Sequence, residues 1–178
     1  MAIAYPKWLE RSLRSDHAGE LGAVWIYHGI LWATKDEQVR AFAEKHLHTE
    51  SRHLFEIESV LREGCRSRLL PLWKSFGFIV GALPALVGKE EVFHTIDAVE
   101  SFVDKHYLKQ INRLDSTEHM DLNLISVREL LVQCREDEIS HRDEAREIAV
   151  LPKSLFSKLW CNLVAIGSQV AVACAMLI

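Results

Sequence analysis

Apolar residues recur every three to four positions along most of the chain, which is the spacing of an amphipathic α-helix. We find no convincing alternation of the kind that predicts a strand. Acidic residues, glycine and proline stand at the breaks between the periodic segments. The pattern therefore predicts helices over residues 14–34, 36–63, 90–114, 121–148 and 154–178.

The first four predicted helices have the lengths found in four-helix bundles. A chain of 178 residues suits one domain with a sizeable core. We therefore expect a single all-α domain over residues 1–178, with the bundle core over residues 14–148.

Two apolar segments extend this bundle. Residues 69–88, LLPLWKSFGFIVGALPALVG, separate the second and third predicted bundle helices and contain one charge, Lys74. The uncharged remainder is too short to cross about 30 Å of hydrocarbon. Residues 159–178 are uncharged and long enough to cross, but three polar residues within them favour a packed or interfacial helix. Each segment is expected either to lie in a membrane interface or to cover the bundle core, and spanning the membrane stays an alternative for residues 159–178.

The charge balance argues against a nucleic-acid partner. Lys and Arg total 21 against 25 Asp and Glu, a net charge of −4, so no general basic field surrounds the chain. The four cysteines form no CxxC pair and are expected to be reduced core residues. The N-terminus does not resemble a secretory signal or a transit peptide, which predicts a location in the cytoplasm or on its membrane face.

Two helices carry a Glu-x-x-His pair on an otherwise apolar stripe. Glu50 and His53 share the stripe of Leu47 and Ile57, and Glu138 and His141 repeat the arrangement. A buried carboxylate without a partner costs several kcal/mol or more, so these stripes are expected to hold a ligand.

A third pair, Glu91 and His94, does not belong to this set. Glu91 lies nine residues before Glu100, which turns it to the opposite helix face at about 100° per residue. We interpret Glu91 as an acid in a helical first turn, with an exposed His94 beside it. His46, four residues before Glu50, is predicted to be a packing or supporting residue rather than a ligand.

The helix before each core-facing pair contributes one inward glutamate, Glu20 or Glu100. The same two-helix arrangement, one inward glutamate followed by one ExxH pair, therefore occurs twice in the chain. Four buried carboxylates carry −4, and two divalent cations would neutralise them. This layout matches the known description of carboxylate-bridged di-iron bundles. Carboxylates with one imidazole per metal suit iron or manganese better than zinc or copper.

The stretches RSDHAGELGA, PLWKSFGFIVGALPALVGKE, AVESFVDKHY and the final ExxH together resemble the demethoxyubiquinone hydroxylase family of ubiquinone biosynthesis. The resemblance covers residues 10–150 and implies a ferritin-like four-helix bundle with an apolar segment inserted between helices two and three and an extra apolar C-terminal helix. It also implies two iron ions per chain. The ligands carried over from the family are Glu20, Glu50, His53, Glu100, Glu138 and His141.

The same resemblance implies an activity and a location. Iron in this family activates O2, and one oxygen atom enters the ring of a polyprenylated methoxy-methyl-benzoquinol. Its substrate lives in the bilayer, so we expect a peripheral enzyme on the cytoplasmic side of the cell membrane, with residues 69–88 entering the lipid. His106 and Tyr107 match the family's His-Tyr pair and are expected to hydrogen-bond the site or the quinone head. Ser101, where the family often has a second glutamate, and the uncharged C-terminus depart from the family pattern.

Asp137 is not one of the ligand candidates but is predicted to support one of them. It directly precedes Glu138 and resembles the acid that many di-iron bundles put before their second ExxH. We predict that Asp137 hydrogen-bonds His53, and the alternative is a solvated acid paired with Arg135. Thr49 stands at the matching position before Glu50, so the two halves of the site are expected to differ.

Other functions and the source of electrons remain open at the level of sequence. The alternatives are ferritin-like iron storage, another di-iron oxidase at a membrane surface, and a lipid-binding protein. No GxGxxG fingerprint occurs, so electrons are expected from a partner protein, from the quinol, or from a nicotinamide bound without that motif. Other proteins of ubiquinone biosynthesis are candidate partners.

Overall fold

The computed structural model describes residues 5–62 and 64–178. Within those ranges the chain is all-α, as predicted, and no strand forms. The six helices are α1 (Lys7–Ala33), α2 (Glu37–Val60), α3 (Leu70–Val87), α4 (Lys89–Asp115), α5 (Leu122–Ile148) and α6 (Leu155–Leu177).

The predicted helix limits need two corrections. Helix α1 begins at Lys7 rather than at residue 14, because the buried Leu9 and Leu13 continue its apolar stripe and Pro6 precedes it. Helix α2 ends at Val60 rather than at residue 63. The apolar inserted segment is itself a regular helix, α3, with proline tolerated in its first turn and at Pro84 near its end.

Helices α1, α2, α4 and α5 form the bundle. Short connections join α1 to α2 and α4 to α5, which makes each pair antiparallel. Aspartates begin the second helix of each pair: Asp36 Oδ1 accepts from the Val39 amide at 3.0 Å, and Asp121 Oδ1 accepts from the Leu124 amide at 2.9 Å.

The bundle interior contains two apolar clusters. One includes Leu13, Ile57, Leu114 and Leu131, and the other includes Ile30, Phe42, Phe93 and Ala145, so each bundle helix contributes to both. The glutamates on the four inward stripes lie between the two clusters along every helix. This arrangement encloses the polar residues in apolar packing on both sides.

Helices α3 and α6 pack on the outside of α1 and α4. The backbones of α1 and α3 touch at glycines: a Cβ at Gly77 would overlap the Gly22 carbonyl, and a Cβ at Gly81 would overlap the Ile26 carbonyl. The absence of side chains at these positions is what lets α3 lie so close to the bundle.

We expect Gly81→Ala to lower the free energy of unfolding by about 1–3 kcal/mol, because the new methyl group forces the helix backbones apart. Gly167→Ala is the matched control, since a Cβ at that helical position meets nothing within 4 Å. It is expected to be neutral or stabilising by up to about 1 kcal/mol. Denaturant unfolding measures both, and equal stability of the two variants would contradict the proposed role of the close contact.

The outer faces of α3 and α6 are apolar. Exposed large side chains follow helical spacing on both: Leu72, Phe76, Ile79, Leu83 and Leu86 on α3, and Leu155, Leu159, Leu163, Ile166 and Val170 on α6. Both helices are long and apolar enough to cross a membrane by length and composition. Rows of exposed large apolar side chains of this kind are typical of a site that binds a partner or a membrane.

Candidate metal centre

The six ligand candidates converge at the centre of the bundle. Each is at most 4% exposed. Their potential ligand atoms form two groups, within each of which all atoms lie within 4.8 Å of one another. The first group is Glu20, Glu50, His53 and Glu138, and the second is Glu50, Glu100, Glu138 and His141. Glu50 and Glu138 belong to both groups, so they lie between two positions that could each hold a cation.

Both histidines turn Nδ1 towards the carboxylates. His53 Nδ1 lies 3.1 Å from Glu138 Oε1 and 3.6 Å from Glu20 Oε2. His141 Nδ1 lies 3.1 Å from Glu50 Oε1 and 3.4 Å from Glu138 Oε2. Each histidine therefore faces the glutamate of the opposite ExxH pair, which gives the centre an approximate twofold arrangement.

The inward atoms have no hydrogen-bond partners among the described residues. These buried atoms are Glu20 Oε2, both carboxylate oxygens of Glu50, Glu138 Oε2, His53 Nδ1 and His141 Nδ1. The contacts of 3.1–3.6 Å between these histidines and carboxylates are not well-aligned hydrogen bonds, so the buried polar atoms are only partly compensated, which is costly. Bound divalent cations would satisfy all of them, and this donor set of carboxylates and imidazoles suits iron or manganese.

The protonation equilibria also favour a cation. Burial raises the pKa of Glu20 to about 8, and burial with the neighbouring Glu138 raises the pKa of Glu100 well above its usual range. Burial also opposes ionisation of Glu50, but its ion pairs with His141 and His53 hold that pKa below the usual value. The protein alone therefore leaves some of these carboxyls protonated, and cation binding would displace those protons.

Comparison with known proteins assigns the chain to a family. Residues 7–175 match the family model described as ubiquinone biosynthesis protein COQ7. The chain belongs to this family. The resemblance to the demethoxyubiquinone hydroxylases is thereby confirmed.

Three relatives show how similar this chain is to known proteins. The chain is 31% identical over 170 residues to the NADPH-dependent 3-demethoxyubiquinone 3-hydroxylase, mitochondrial, of Dictyostelium discoideum, and the match covers 92% of this chain and 75% of that protein. It is 31% identical over 164 residues to the 5-demethoxyubiquinone hydroxylase, mitochondrial, of Saccharomyces cerevisiae, covering 82% and 68%. It is 33% identical over 138 residues to the 3-demethoxyubiquinol 3-hydroxylase of Rhodospirillum rubrum, covering 76% and 62%.

Two tyrosines lie beside Glu20 and Glu100, the two glutamates that each belong to only one ligand group of this COQ7 family member. Tyr107 donates its hydroxyl hydrogen to Glu20 Oε1, and its role in the function of the site stays a prediction. Tyr27 is buried near Glu100, and burial together with that carboxylate raises the pKa of Tyr27 well above its usual range. Sequence reasoning did not assign Tyr27 to the site. The signal was available, since Tyr27 follows Glu20 by seven residues as Tyr107 follows Glu100.

Among the described residues, the hydrogen bonds of His106 go to Asp16 and Ser15 rather than to any of the six ligand candidates. Its Nε2 lies 2.9 Å from Asp16 Oδ1, which also accepts from Gln110 Nε2 at 2.8 Å. One residue along a helix turns a side chain by about 100°, which separates His106 from its neighbour Tyr107. Contact of His106 with a quinone head stays a prediction.

The hydrogen bond predicted between Asp137 and His53 is present. His53 Nε2 lies 3.0 Å from Asp137 Oδ2, which also accepts from Arg52 Nη2 at 2.7 Å. The alternative partner, Arg135, instead donates to Asp104 at 2.7 Å. Asp137 thus lies behind His53, on the side opposite to the carboxylates, where it fixes the ring orientation and the tautomer.

His141 has different surroundings, as the difference between Asp137 and Thr49 predicts. The ring of His46 lies against it, with the two ring centres 4.0 Å apart. Burial, together with His141, lowers the pKa of His46 to about 4, so this ring is neutral near pH 7.

The third ExxH pair lies outside the centre. Glu91 is in the first turn of α4, as expected, and accepts a hydrogen bond from the Ser157 hydroxyl at 2.7 Å. His94, however, is buried rather than exposed, and its carbonyl contacts the Cys161 thiol. The packing of α6 on α4 covers it, which the periodicity of α4 alone could not indicate.

Proposed function

We propose that this chain is a di-iron 3-demethoxyubiquinol 3-hydroxylase, which uses O2 to hydroxylate the ring of a polyprenylated methoxy-methyl-benzoquinol. The observation that carries the proposal is the convergence of six buried carboxylate and imidazole side chains, in two groups of potential metal ligands, within a COQ7 family member. The printed names of its relatives supply the substrate class.

Two iron ions per chain are proposed, with Glu20 and His53 holding one, Glu100 and His141 the other, and Glu50 and Glu138 shared. Bound iron would supply the activation of O2.

The surrounding side chains support this centre in separate ways. Tyr107 holds one oxygen of Glu20 and leaves the other free to bind iron. Asp137 holds the ring of His53. The two apolar clusters exclude water from both sides of the centre, which keeps side reactions with solvent away.

Attachment to a membrane surface forms part of the proposal. Helix α6 keeps contact with the bundle along its length: Trp160 Nε1 donates to Thr95 at 2.9 Å near one end, and Ala175 packs with Ala18 at the other. A helix held in this way favours lying on a membrane with its outer face in the lipid rather than crossing it. We propose peripheral binding to the cytoplasmic face of the cell membrane, where a prenylated quinol would be within reach.

An iron-storage function fits the surface less well. A ferritin-like store would need a polar outer surface suited to cage assembly, whereas α3 and α6 expose rows of large apolar side chains. For the electron source, the name NADPH-dependent given to the Dictyostelium discoideum relative favours a nicotinamide, which would be bound directly or act through a partner protein; the name of the Saccharomyces cerevisiae relative does not include those words.

Lipid analysis of a deletion strain tests the proposed reaction. We expect accumulated demethoxyubiquinone and lowered ubiquinone, both reversed by the wild-type gene and not by a Glu138→Ala copy. Normal ubiquinone without accumulation of the precursor would assign this chain a different substrate.

We expect Phe76→Asp with Leu83→Asp to weaken binding to liposomes at least about tenfold, because each substitution removes an apolar side chain worth up to about 1.5–3 kcal/mol on burial. Both side chains are exposed on α3, whereas Phe78 packs against Trp25 and Trp32 and would report on folding.

Leu122→Asp provides the control for this prediction, since Leu122 is 81% exposed but lies on α5, away from the apolar face. Co-sedimentation with liposomes should be unchanged by it. If all three proteins sediment equally, or the wild-type protein stays in solution, α3 and α6 only cover the bundle.

A further inference from the structure

The segment that contains α3 has an excess of positive charge. Residues 59–88, which follow α2 and end before α4, contain four of the 21 Lys and Arg residues but only one of the 25 Asp and Glu residues. This segment therefore has a net charge of +3, whereas the rest of the chain has a net charge of −7. A basic cluster next to an apolar helix face is typical of segments that bind anionic lipids.

The structure fixes these cations at one end of the apolar face. The Arg68 amide donates to the Ile178 carbonyl at 2.9 Å. Arg14 donates from Nε to the Cys65 carbonyl at 2.8 Å and from Nη1 to the Met176 carbonyl at 3.5 Å. The connection between α2 and α3 is thereby held beside the C-terminal end of α6, at the end where α3 begins.

Two of the cations line one cavity at this end. Arg66 and Lys74 border a cavity of about 300 Å³, together with Leu70 and Pro71 from the first turn of α3. Lys74 Nζ lies 5.7 Å from the centre of the Trp25 ring, which holds the ammonium group on the flank of α3. The cavity therefore combines two cations with apolar walls, as the phosphate group and the first carbons of a phospholipid require.

The carboxylate that also borders this cavity is already paired. Glu58 Oε1 lies 2.9 Å from His17 Nε2 and 3.3 Å from Arg66 Nη2. In the described part of the chain, neither Arg68 nor Lys74 has an ion pair with a carboxylate. These two charges are therefore available to an anion outside the protein.

The other end of the apolar face has no such excess of positive charge. The helix ends there carry three lysines and three acids: Lys89, Lys153, Lys158, Glu90, Glu91 and Asp97. Lys153 Nζ also donates to Asp97 Oδ2 at 2.7 Å, so one of these lysines is neutralised within the protein. The charge of the apolar face is thus concentrated at the end where α3 begins.

We propose that the basic segment, residues 62–74, binds the phosphate groups of anionic phospholipids while the outer faces of α3 and α6 enter the lipid. Guanidinium and ammonium groups are the side chains that bind phosphate oxygens best. The apolar side chains provide attachment to any bilayer, and the cations add selection for a negatively charged one. This inference rests on the membrane attachment in the proposed function and adds to it the charge of the lipid.

Co-sedimentation of the full chain with two kinds of liposome tests the inference. One kind contains phosphatidylcholine alone, and the other contains phosphatidylcholine mixed with phosphatidylglycerol. The wild-type protein is expected to bind the mixed vesicles more tightly, and high ionic strength should remove most of this difference because salt screens the charges. Arg68→Gln with Lys74→Gln should weaken binding to the mixed vesicles roughly 10–30-fold, since each cation near an anionic surface contributes about fivefold in affinity.

A control variant removes the same charge elsewhere. Lys45→Gln with Arg128→Gln neutralises two cations on α2 and α5, whereas α3 and α6 pack on α1 and α4. This variant should keep the preference for the mixed vesicles. Both double variants should bind phosphatidylcholine vesicles as the wild type does, and both should hydroxylate a quinol in detergent at the wild-type rate, because the changed residues lie outside the metal centre.

Three results would overturn the inference. Equal binding of the wild type to both kinds of vesicle, or equal weakening by the two double variants, would leave the basic segment for an acidic protein or for no partner. Loss of hydroxylation in detergent by the Arg68 and Lys74 variant would give the segment a different role.

These failures are distinguishable from failure of the proposed function. Hydroxylation by the wild type in detergent supports the proposed reaction whatever the lipid preference is, and its absence would contradict that reaction without bearing on the lipid. A wild-type protein that binds neither kind of vesicle would overturn both this inference and the proposed attachment to a membrane.

Discussion

Glu138→Ala is expected to lose both iron and hydroxylation. Glu138 belongs to both ligand groups, with Oε1 3.1 Å from His53 Nδ1 and Oε2 3.4 Å from His141 Nδ1. Removing a shared ligand weakens both metal positions, so iron should fall from about two atoms per chain to near zero. Elemental analysis after anaerobic reconstitution and a quinol hydroxylation assay measure the two effects.

A control on the same helix separates this effect from a folding defect. Glu136→Ala removes an exposed carboxylate two residues away and should keep iron and turnover. The metal-free Glu138→Ala protein should be at least as stable to heat as the metal-free wild type, because it has one fewer carboxylate in a crowded buried site. Full turnover in Glu138→Ala, or a reconstituted wild-type protein that contains only zinc, would contradict the proposed centre.

Asp137→Ala is expected to lower iron affinity or activity about 10–100-fold with the fold intact. Burial raises the pKa of Asp137, but hydrogen bonds donated by His53 and Arg52 outweigh it and hold that pKa below the usual value. The residue therefore stays ionised near neutral pH and makes His53 a better ligand. Without it, the His53 ring is free to rotate and to change tautomer.

Asp143→Ala is the matched control, because Asp143 is an exposed acid on the same helix whose partners, Arg142 and Arg146, lie outside the ligand set. It should leave iron binding unchanged, since exposed ion pairs contribute about 0–1 kcal/mol. Asp137→Asn should fall between Asp137→Ala and the wild type, because it keeps an acceptor and loses the charge. Unchanged iron retention in Asp137→Ala would refute the supporting role of this residue.

The amino-acid sequence by itself determined the all-α class and which residues face the bundle interior. Helical periodicity converts spacing into direction, so Glu50 and His53, three apart, must share a face, and Glu91 must turn away from Glu100. The same periodicity puts Glu138 and His141 on one helix face. The arrangement of an inward glutamate on one helix and an ExxH pair on the next therefore occurs twice in the chain. Four glutamates on apolar stripes already predicted that a cation site lies in the core.

The tertiary structure decided which side chains meet across helices, because spacing along one helix carries no information about its neighbours. Periodicity cannot show that His106 reaches Asp16 rather than the metal centre, or that α6 covers His94. It also cannot show that Glu50 and Glu138 are the shared pair. His46 and Glu144 lie 98 residues apart, and only the packing of α2 against α5 brings them together.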